Sequence, residues 1–431
     1  MQRHLSGVAT ATALVLSLYA CSSSDGAAGG DGDGGPDNGG EGGSSGSDAP
    51  SDPDGRADAA TNPDGARDAA ADGDAALDAP VDAGPPVVRF VGRFDMGAAG
   101  GPKTAYPAGR IIARFMGTEV KATFADAMLV NDYGANRWEV FIDGTSTNKI
   151  QLDRTQPTTF TLATGLPNGA HTVELYKLSE GSVGTSQFQG FDFSGGTLLP
   201  PPLPATRHMQ FLGDSSSNGY GVDGAPGCSF TAATQNERRS YPALVAHDLL
   251  ADHHNLSASG KGLFQNYARS DTDTFSVIYQ RANVATYVGG VLAPLWSYAD
   301  YTPDVVWITL GGNDYDKSGM ATDPAPFDKF QAKYDELVTT VRTQHPSAHI
   351  FCAVAPSLSD LFPAGFNAYT SVKTGAQNVI AAHAADTKLY FFEFTRNVNG
   401  DNTACDLHVN AAKHRAMADE AILAIKAKTG W

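Results

Sequence analysis

Three short polar blocks carry residue types that could perform acyl transfer. Gly213-Asp-Ser215 and Gly311-Gly-Asn-Asp314 each follow an apolar run, and His408 stands just before the last helical pattern. A serine hydroxyl becomes a nucleophile when a nearby histidine takes its proton, and histidine has a suitable pKa near neutral pH. Side-chain amides and main-chain N–H groups beside glycine can stabilise the resulting oxyanion. The blocks therefore predict Ser215 as the nucleophile and His408 as the general base.

The elements that must position these residues alternate between strand and helix after residue 207. Such alternation predicts an α/β fold, with a parallel sheet between two layers of helices. Active sites of open α/β sheets lie at the carboxyl ends of the strands, where Ser215 and Asn313 would meet. Strands are predicted near 208–213, 254–259, 304–310, 348–355 and 388–392, and helices near 240–252, 326–344, 368–385 and 410–428.

The preceding region has a different pattern, in which short alternating apolar runs are separated by turn residues such as Asp143-Gly144. This pattern predicts an antiparallel β-sandwich, which we expect to be jelly-roll-like. A Pro-rich stretch at 199–204 is a stiff connector. With 431 residues the chain can bury two cores. The expected domains are residues 87–202 for the β-sandwich and 207–431 for the α/β domain.

The N-terminal region has the features of an exported and tethered protein. Residues 1–21 have a basic start and an apolar run too short to span a bilayer, which is typical of a signal peptide. The small residue before Cys21 and the serines after it are similar to a bacterial lipobox, so Cys21 is the expected lipidation site. Residues 22–86 are almost entirely Gly, Ala, Asp, Ser and Pro, which predicts a disordered linker. We expect a lipid-anchored protein of the cell envelope, in the outer membrane of a Gram-negative bacterium, or a secreted one.

The net charge gives little information about partners. The chain carries a formal charge of −17, and most of it comes from residues 22–86, which hold fifteen acidic residues and two arginines. Phosphate contacts need clustered Lys or Arg, and no basic stripe is visible. Nucleic-acid binding is therefore not expected.

The order of the three blocks resembles that of the SGNH, or GDSL-type, hydrolases over about residues 207–431. The resemblance implies a flavodoxin-like sheet and an oxyanion hole with three donors. These are the N–H of Ser215, the N–H of Gly260 and the amide of Asn313. Gly262 is the less favoured alternative to Gly260.

Finer details resemble carbohydrate esterase family 2, in which a β-sandwich precedes the hydrolase domain. The resemblance implies a serine esterase that removes O-acetyl groups from xylan-type or glucomannan-type polysaccharides through an acyl-enzyme, without a metal or other cofactor. We expect acetylated polysaccharide as the partner, and a monomer that contacts a membrane only through its lipid anchor. The segments that carry the resemblance are Gly219-Tyr-Gly221, Ser259-Gly-Lys-Gly262, Asn236 to Pro242 and Cys405-Asp-Leu-His408.

One position departs from the common SGNH pattern, which places an acid three residues before the histidine. Cys405 occupies that position, and Asp406 follows it. Asp406 is the expected third catalytic member; alternatively it is structural and a backbone carbonyl holds the imidazole. Cys228 and Cys405 lie in loop-like stretches beside the catalytic blocks, and export permits a disulfide between them. Cys352 lies in an apolar run and is expected in the core.

Other residues have a functional and a structural interpretation. Tyr220, Trp296 and Tyr315 flank the blocks and could stack on a sugar, although loop aromatics often only pack. The carboxylates of Asp214 and Asp314 are expected to stabilise their loops. Trp307 is a further aromatic candidate, but it lies inside a buried strand pattern and is expected in the core. The expected surface histidines are His247, His253, His254 and His414.

Two alternative functions remain open from the sequence. The same scaffold supports lipases and thioesterases. Long insertions rich in Leu and Phe around the site would favour that function, and the sequence shows none. A carbohydrate-binding surface lipoprotein with a degenerate hydrolase site is the alternative from another class. Intact Ser215, Asn313 and His408 favour the esterase.

Overall fold

A computed structural model of the chain describes residues 85, 87–128, 132–268, 273–284, 293–316 and 323–431. The predicted signal peptide with Cys21, and nearly all of the predicted linker 22–86, lie outside the described residues. Within the described ranges, no helix has both the length and the hydropathy needed to cross a bilayer.

The first sheet is antiparallel and is built around two long strands. The strands of this described sheet are β1 (Arg89–Val91), β2 (Lys103–Thr104), β3 (Arg110–Ala127), β4 (Arg137–Ile142), β5 (Thr145–Gln151), β6 (Thr158–Lys177), β7 (Thr185–Asp192) and β8 (Thr197–Leu199). Their order is β2-β7-β3-β6-β4-β5, with β1 and β8 also pairing with β3. The pairing of the long strands β3 and β6 continues through irregularities such as the shift between Gly117 and Glu119. The short apolar runs of the sequence predicted shorter strands, but bulges let one strand bend without ending the ladder.

The second sheet is parallel, with the order β10-β9-β11-β12-β13. Its described strands are β9 (Arg207–Gly213), β10 (Ala251–Asn255), β11 (Val305–Thr309), β12 (His349–Val354) and β13 (Leu389–Glu393). The described α-helices are α1 (Tyr241–Asp248), α2 (Phe275–Tyr279), α3 (Phe327–Gln344), α4 (Ala368–Ala382) and α5 (Ala411–Thr429).

Successive residues of the central strands point to opposite faces of this sheet. Phe211 and Trp307 lie in the apolar cluster with residues of α1 and α5. Leu212 and Ile308, one position further on, lie in the cluster with residues of α3 and α4. All five residues of β11 are buried, as expected for a central parallel strand covered on both faces. The predicted fold class, an antiparallel β domain followed by a three-layer α/β domain, is confirmed.

One predicted boundary was wrong. The predicted helix at 240–252 ends at Asp248, and β10 begins at Ala251, three residues before the predicted strand. Leu250 lies between them with a φ of 51°, so the chain turns there. The surface assignment of three histidines was also wrong, since His253, His254 and His414 are all buried.

The histidines of β10 are buried because the first domain covers this edge strand. Asp252 of β10 accepts hydrogen bonds from the Arg89 and Arg110 guanidinium groups of the first sheet. Next to this contact, the buried Arg93 guanidinium lies 5.1 Å from the ring centroids of both Tyr279 and Trp296. The two domains therefore share a polar and aromatic interface along β10.

Candidate active site

The loop that carries Ser215 begins directly at the end of β9. A Cβ atom on Gly213 would lie 2.4 Å from Ser217 Oγ, so the turn requires glycine at this position. The Asp214 carboxylate caps the following 3-10 turn by accepting hydrogen bonds from Ser216 N at 2.9 Å and Ser216 Oγ at 2.6 Å. This loop-stabilising contact is the role expected for Asp214. Ser215, the first residue of the turn, is half-buried.

The loop that carries His408 is fixed by a disulfide and by main-chain contacts. The Cys228–Cys405 disulfide is present, as predicted, and joins residues 177 positions apart in sequence. Asp406 N donates to Cys228 O at 2.9 Å, and Cys405 N donates to Gly221 O at 3.3 Å. His408, the candidate base, is thereby tied to the segment that follows Ser215.

Main-chain carbonyls orient the His408 imidazole. Its Nδ1 lies 3.2 Å from Cys405 O and 3.2 Å from Asp406 O. These two acceptors require the proton on Nδ1, which leaves Nε2 with the lone pair that a general base needs.

The expectation that Asp406 completes a triad was wrong. The Asp406 carboxylate accepts hydrogen bonds from Tyr220 Oη at 3.0 Å and Phe230 N at 2.9 Å, and neither partner is His408. The cause is the backbone, because Asp406 has a φ of 51° and Leu407 a φ of 60°. This left-handed turn points the carboxylate away from the imidazole and brings the carbonyls toward it. The alternative stated from the sequence, a backbone carbonyl, is the arrangement in the structure.

Tyr220 is part of a stack of rings rather than an open platform. Its ring centroid lies 4.0 Å from that of His408 on one side and 4.1 Å from that of Phe230 on the other, both in stacked geometry. With both faces covered, Tyr220 cannot stack on a sugar, and that prediction was wrong.

Burial lowers the pKa of His408 below its usual range, against the opposing effect of the two carbonyls. The imidazole is therefore neutral at pH 7.

The amide of Asn313 lies between the nucleophile block and the loop after β10. Its Nδ2 is 3.0 Å from Lys261 O and 3.3 Å from Asp214 Oδ2. Asp314, the next residue, is fully buried, and its carboxylate accepts hydrogen bonds from the main-chain N–H groups of residues 263–265. As expected, Asp314 stabilises loop structure, and it does so in the loop that carries Gly260.

The structure distinguishes between the two glycines proposed for the oxyanion hole. Gly262 N already donates to Asn266 Oδ1 at 3.0 Å. Gly260, with a φ of +76°, makes no such bond from its N–H to any described residue. A Cβ on Gly262 would lie 2.0 Å from Gln265 O, so close packing alone requires glycine at this position. Gly260 therefore stays the preferred donor.

Electrostatic interactions connect the three blocks. Burial raises the pKa of Asp214, and the Asp316 carboxylate adds to this rise. The same Asp316 charge acts on His408, where it opposes the lowering of the pKa by burial. The described contacts of the His408 side chain are with Cys405, Asp406 and Tyr220, and a hydrogen bond to Ser215 Oγ is not among them. Hydrogen bonds between catalytic groups are often longer before substrate binds.

A family two carbohydrate esterase from Clostridium thermocellum, solved in complex with cellohexaose, has the same two-domain fold. It superposes with a TM-score of 0.70 and 32% sequence identity, covering 80% of this chain and 100% of that chain. The chain belongs to carbohydrate esterase family 2.

Two family profiles agree with this assignment. The Carbohydrate esterase 2 N-terminal family matches residues 90–202, and the GDSL-like Lipase/Acylhydrolase family matches residues 211–416. The resemblance inferred from the sequence, to SGNH hydrolases and to carbohydrate esterase family 2 in particular, is confirmed.

Named relatives of this family 2 chain are esterases or deacetylases by name. The cellulase/esterase CelE of Acetivibrio thermocellus is 34% identical over 347 residues, which is 80% of this chain and 40% of that protein. An acetylxylan esterase / glucomannan deacetylase of Cellvibrio japonicus is 27% identical over 299 residues, covering 69% of this chain and 78% of that protein. The chain thus spans less than half the length of CelE.

Two other aromatic candidates of this family 2 chain are not at the site. Tyr315 is 2% exposed and packs against Phe330 at 5.2 Å between ring centroids. Trp296 lies against Arg93 and His254 in the interface between the domains. Neither ring is available as a sugar platform, because burial and interdomain packing, which the sequence does not display, occupy them. Trp307 is fully buried, as expected.

One residue at the site was not predicted from the sequence. Glu180 belongs to the first domain, yet its carboxylate accepts hydrogen bonds from Asn218 and Ser259, which flank the nucleophile and the oxyanion glycine. It lies in an interstrand loop, without a motif and 79 residues before Ser259. No sequence signal distinguishes it from other loop carboxylates.

Replacing Asp406 tests the orientation of the imidazole by the main chain. Asp406→Ala should lower kcat for p-nitrophenyl acetate by less than about tenfold, because the carboxylate contacts Tyr220 rather than His408. Loss of an orienting triad aspartate costs about 10⁴ in rate. The control His408→Ala removes the base itself and should lose about 10⁶. An Asp406→Ala loss near 10⁴ in a folded protein would contradict the assignment.

Proposed function

We propose that this chain is a serine esterase that removes O-acetyl groups from polysaccharides of the xylan or glucomannan type. The observation that carries the proposal is the pair of carbonyls on His408 Nδ1, because they leave Nε2 available as a base in a ring that stacks on Tyr220, in the segment that follows Ser215. Family membership and the names of the Acetivibrio and Cellvibrio relatives support the substrate class.

The mechanism proceeds through an acyl-enzyme. Ser215 Oγ attacks the acetyl carbonyl carbon, and its proton passes to His408 Nε2. The tetrahedral intermediate collapses by breaking its bond to the sugar oxygen. The imidazolium gives its proton to this oxygen, which departs as a hydroxyl group. Water then attacks the acetyl-Ser215 ester, again giving a proton to His408. Acetate leaves as Ser215 regains its proton, so both residues are restored.

The oxyanion is held by three donors in this proposal: the N–H groups of Ser215 and Gly260 and the amide of Asn313. The amide contact to Lys261 O, at 3.0 Å, is shorter than its contact to Asp214 Oδ2, at 3.3 Å. An oxyanion would take over the weaker of these bonds, while Lys261 O keeps the amide in orientation. Donors already in place cost no reorganisation when the charge develops.

Acetate release from polysaccharides tests the function. The wild type should release acetate from acetylated xylan or glucomannan, and Ser215→Ala should lower this rate by about 10⁶ because it lacks the nucleophile. Ser216→Ala is the matched control and should lose less than about tenfold, because Asp214 keeps its bond from Ser216 N.

Three results would count against this proposal. Equal acetate release by wild type and Ser215→Ala would exclude the nucleophile. Faster turnover of long-chain p-nitrophenyl esters than of the acetate would favour the lipase alternative. Polysaccharide binding without any acetate release would favour the non-catalytic lipoprotein.

We also propose that Cys21 is lipidated and that residues 22–86 tether the esterase to the cell envelope. Several acyl chains give a stable anchor, because each buried CH₂ contributes about 0.8 kcal/mol. In a Gram-negative host expressing the full chain, wild type should enter the detergent phase on phase separation. Cys21→Ala should stay in the aqueous phase. The same distribution for both proteins would rule out this anchor.

A further inference from the structure

The Glu180 side chain reaches from the first domain into the second. It lies in the loop between β6 and β7 and is fully buried. A buried carboxyl group is costly unless hydrogen bonds compensate for lost water, so its partners indicate why it is there.

The partners of this carboxyl group in the second domain flank the candidate active site. Glu180 Oε2 accepts hydrogen bonds from Ser259 N and from Asn218 Nδ2, both at 2.8 Å. Oε1 accepts a hydrogen bond from Ser259 Oγ, and Asn218 Nδ2 is also 3.1 Å from that hydroxyl. One carboxyl group thus connects the residue before Gly260 with the turn that begins at Ser215.

The loop that carries Glu180 is itself held tightly against the second domain. Glu180 N donates to Gln235 Oε1 at 2.9 Å, and Gln235 Nε2 donates to Asn218 O at 3.2 Å. A Cβ on Gly181 would lie 2.1 Å from Val284 Cγ2, so the Val284 side chain packs against the Gly181 backbone as closely as glycine permits. The backbone that carries the Glu180 carboxyl group is therefore held in place.

We propose that Glu180 is a positioning residue for the oxyanion hole, which sets the Ser259–Gly260 peptide relative to Ser215. The inference rests on the proposed esterase function. Its basis is that Glu180 binds the N–H of Ser259, the residue directly before Gly260. Gly260 has no side chain to restrain its backbone, so this contact sets the direction of the Gly260 N–H. Hydrolysis in the second domain then depends on a side chain of the first.

The expected effect lies in kcat. Removing a whole oxyanion donor costs about 10²–10³ in rate, and a displaced donor retains part of its effect, so we expect a loss of about 10- to 100-fold. The donor contact strengthens only in the transition state, so KM should change by less than about threefold. A purely structural role would lower the folded fraction and leave kcat per titrated active site unchanged.

Two variants disturb the contact in different ways. Glu180→Asp keeps the charge but withdraws the carboxyl group by about 1.5 Å, one C–C bond. It should lose about 10- to 100-fold in kcat. Ser259→Ala removes one hydroxyl and should lose about threefold to tenfold. Glu180→Gln is the rescue variant: its oxygen can accept from Ser259 N and Asn218 Nδ2 while its NH₂ donates to Ser259 Oγ. It should retain kcat within about fivefold.

Glu139→Gln is the matched control for docking of the domains. Glu139 is a buried carboxylate of β4 that accepts hydrogen bonds from Arg238 of the second domain, at 2.8 Å, and from Ser146; among the described residues, Ser259 and Asn218 are not its partners. This variant should keep the wild-type kcat. Its melting temperature shows how much a lost interdomain bond alone affects the fold.

The outcomes separate the inference from the function on which it rests. The measurement is kcat and KM on p-nitrophenyl acetate, with active sites titrated by a serine-reactive phosphonate. A wild type without Ser215-dependent activity would refute the function. An active wild type, with Ser259→Ala and folded Glu180→Asp both at wild-type kcat, would overturn the role of Glu180. Equal kcat losses in Glu180→Asp and Glu139→Gln would also overturn it.

Discussion

The structure of the site depends on the hydrogen bonds between His408 Nδ1 and the carbonyls of Cys405 and Asp406. A carbonyl orients an imidazole only if the loop that presents it is rigid. Rigidity comes from the disulfide to Cys228 and from two consecutive residues in the left-handed region. The disulfide thus supports the base through the backbone, in place of the carboxylate that the more common pattern supplies.

The first domain is a working part of this arrangement. It covers the edge strand β10 through the contacts of Asp252 and thereby buries the strand whose following loop holds Gly260. It also provides Glu180, which is bonded to both loops beside the nucleophile. These contacts explain why the antiparallel domain packs against the hydrolase domain and is not joined to it only by the connector.

The fold was predictable because it follows from local pattern and order. Apolar periodicity defined the strands. Ser215 follows β9 and His408 precedes α5, as expected, and their catalytic roles stay predictions. Contacts that depend on tertiary structure were not predictable. The direction of the Asp406 carboxylate follows from the positive φ angles of Asp406 and Leu407, and the burial of Tyr315 from packing on α3. Glu180 approaches Ser259 only after two domains dock.

The most direct test of main-chain orientation is the pKa of His408, measured by NMR titration of its labelled imidazole. Burial with only carbonyl partners at Nδ1 lowers the pKa, so the account predicts a value below 6.5 and a proton on Nδ1 of the neutral ring. A carboxylate at Nδ1 would favour the charged ring and raise the pKa. A measured value above 6.5, or a neutral ring protonated at Nε2, would contradict the account.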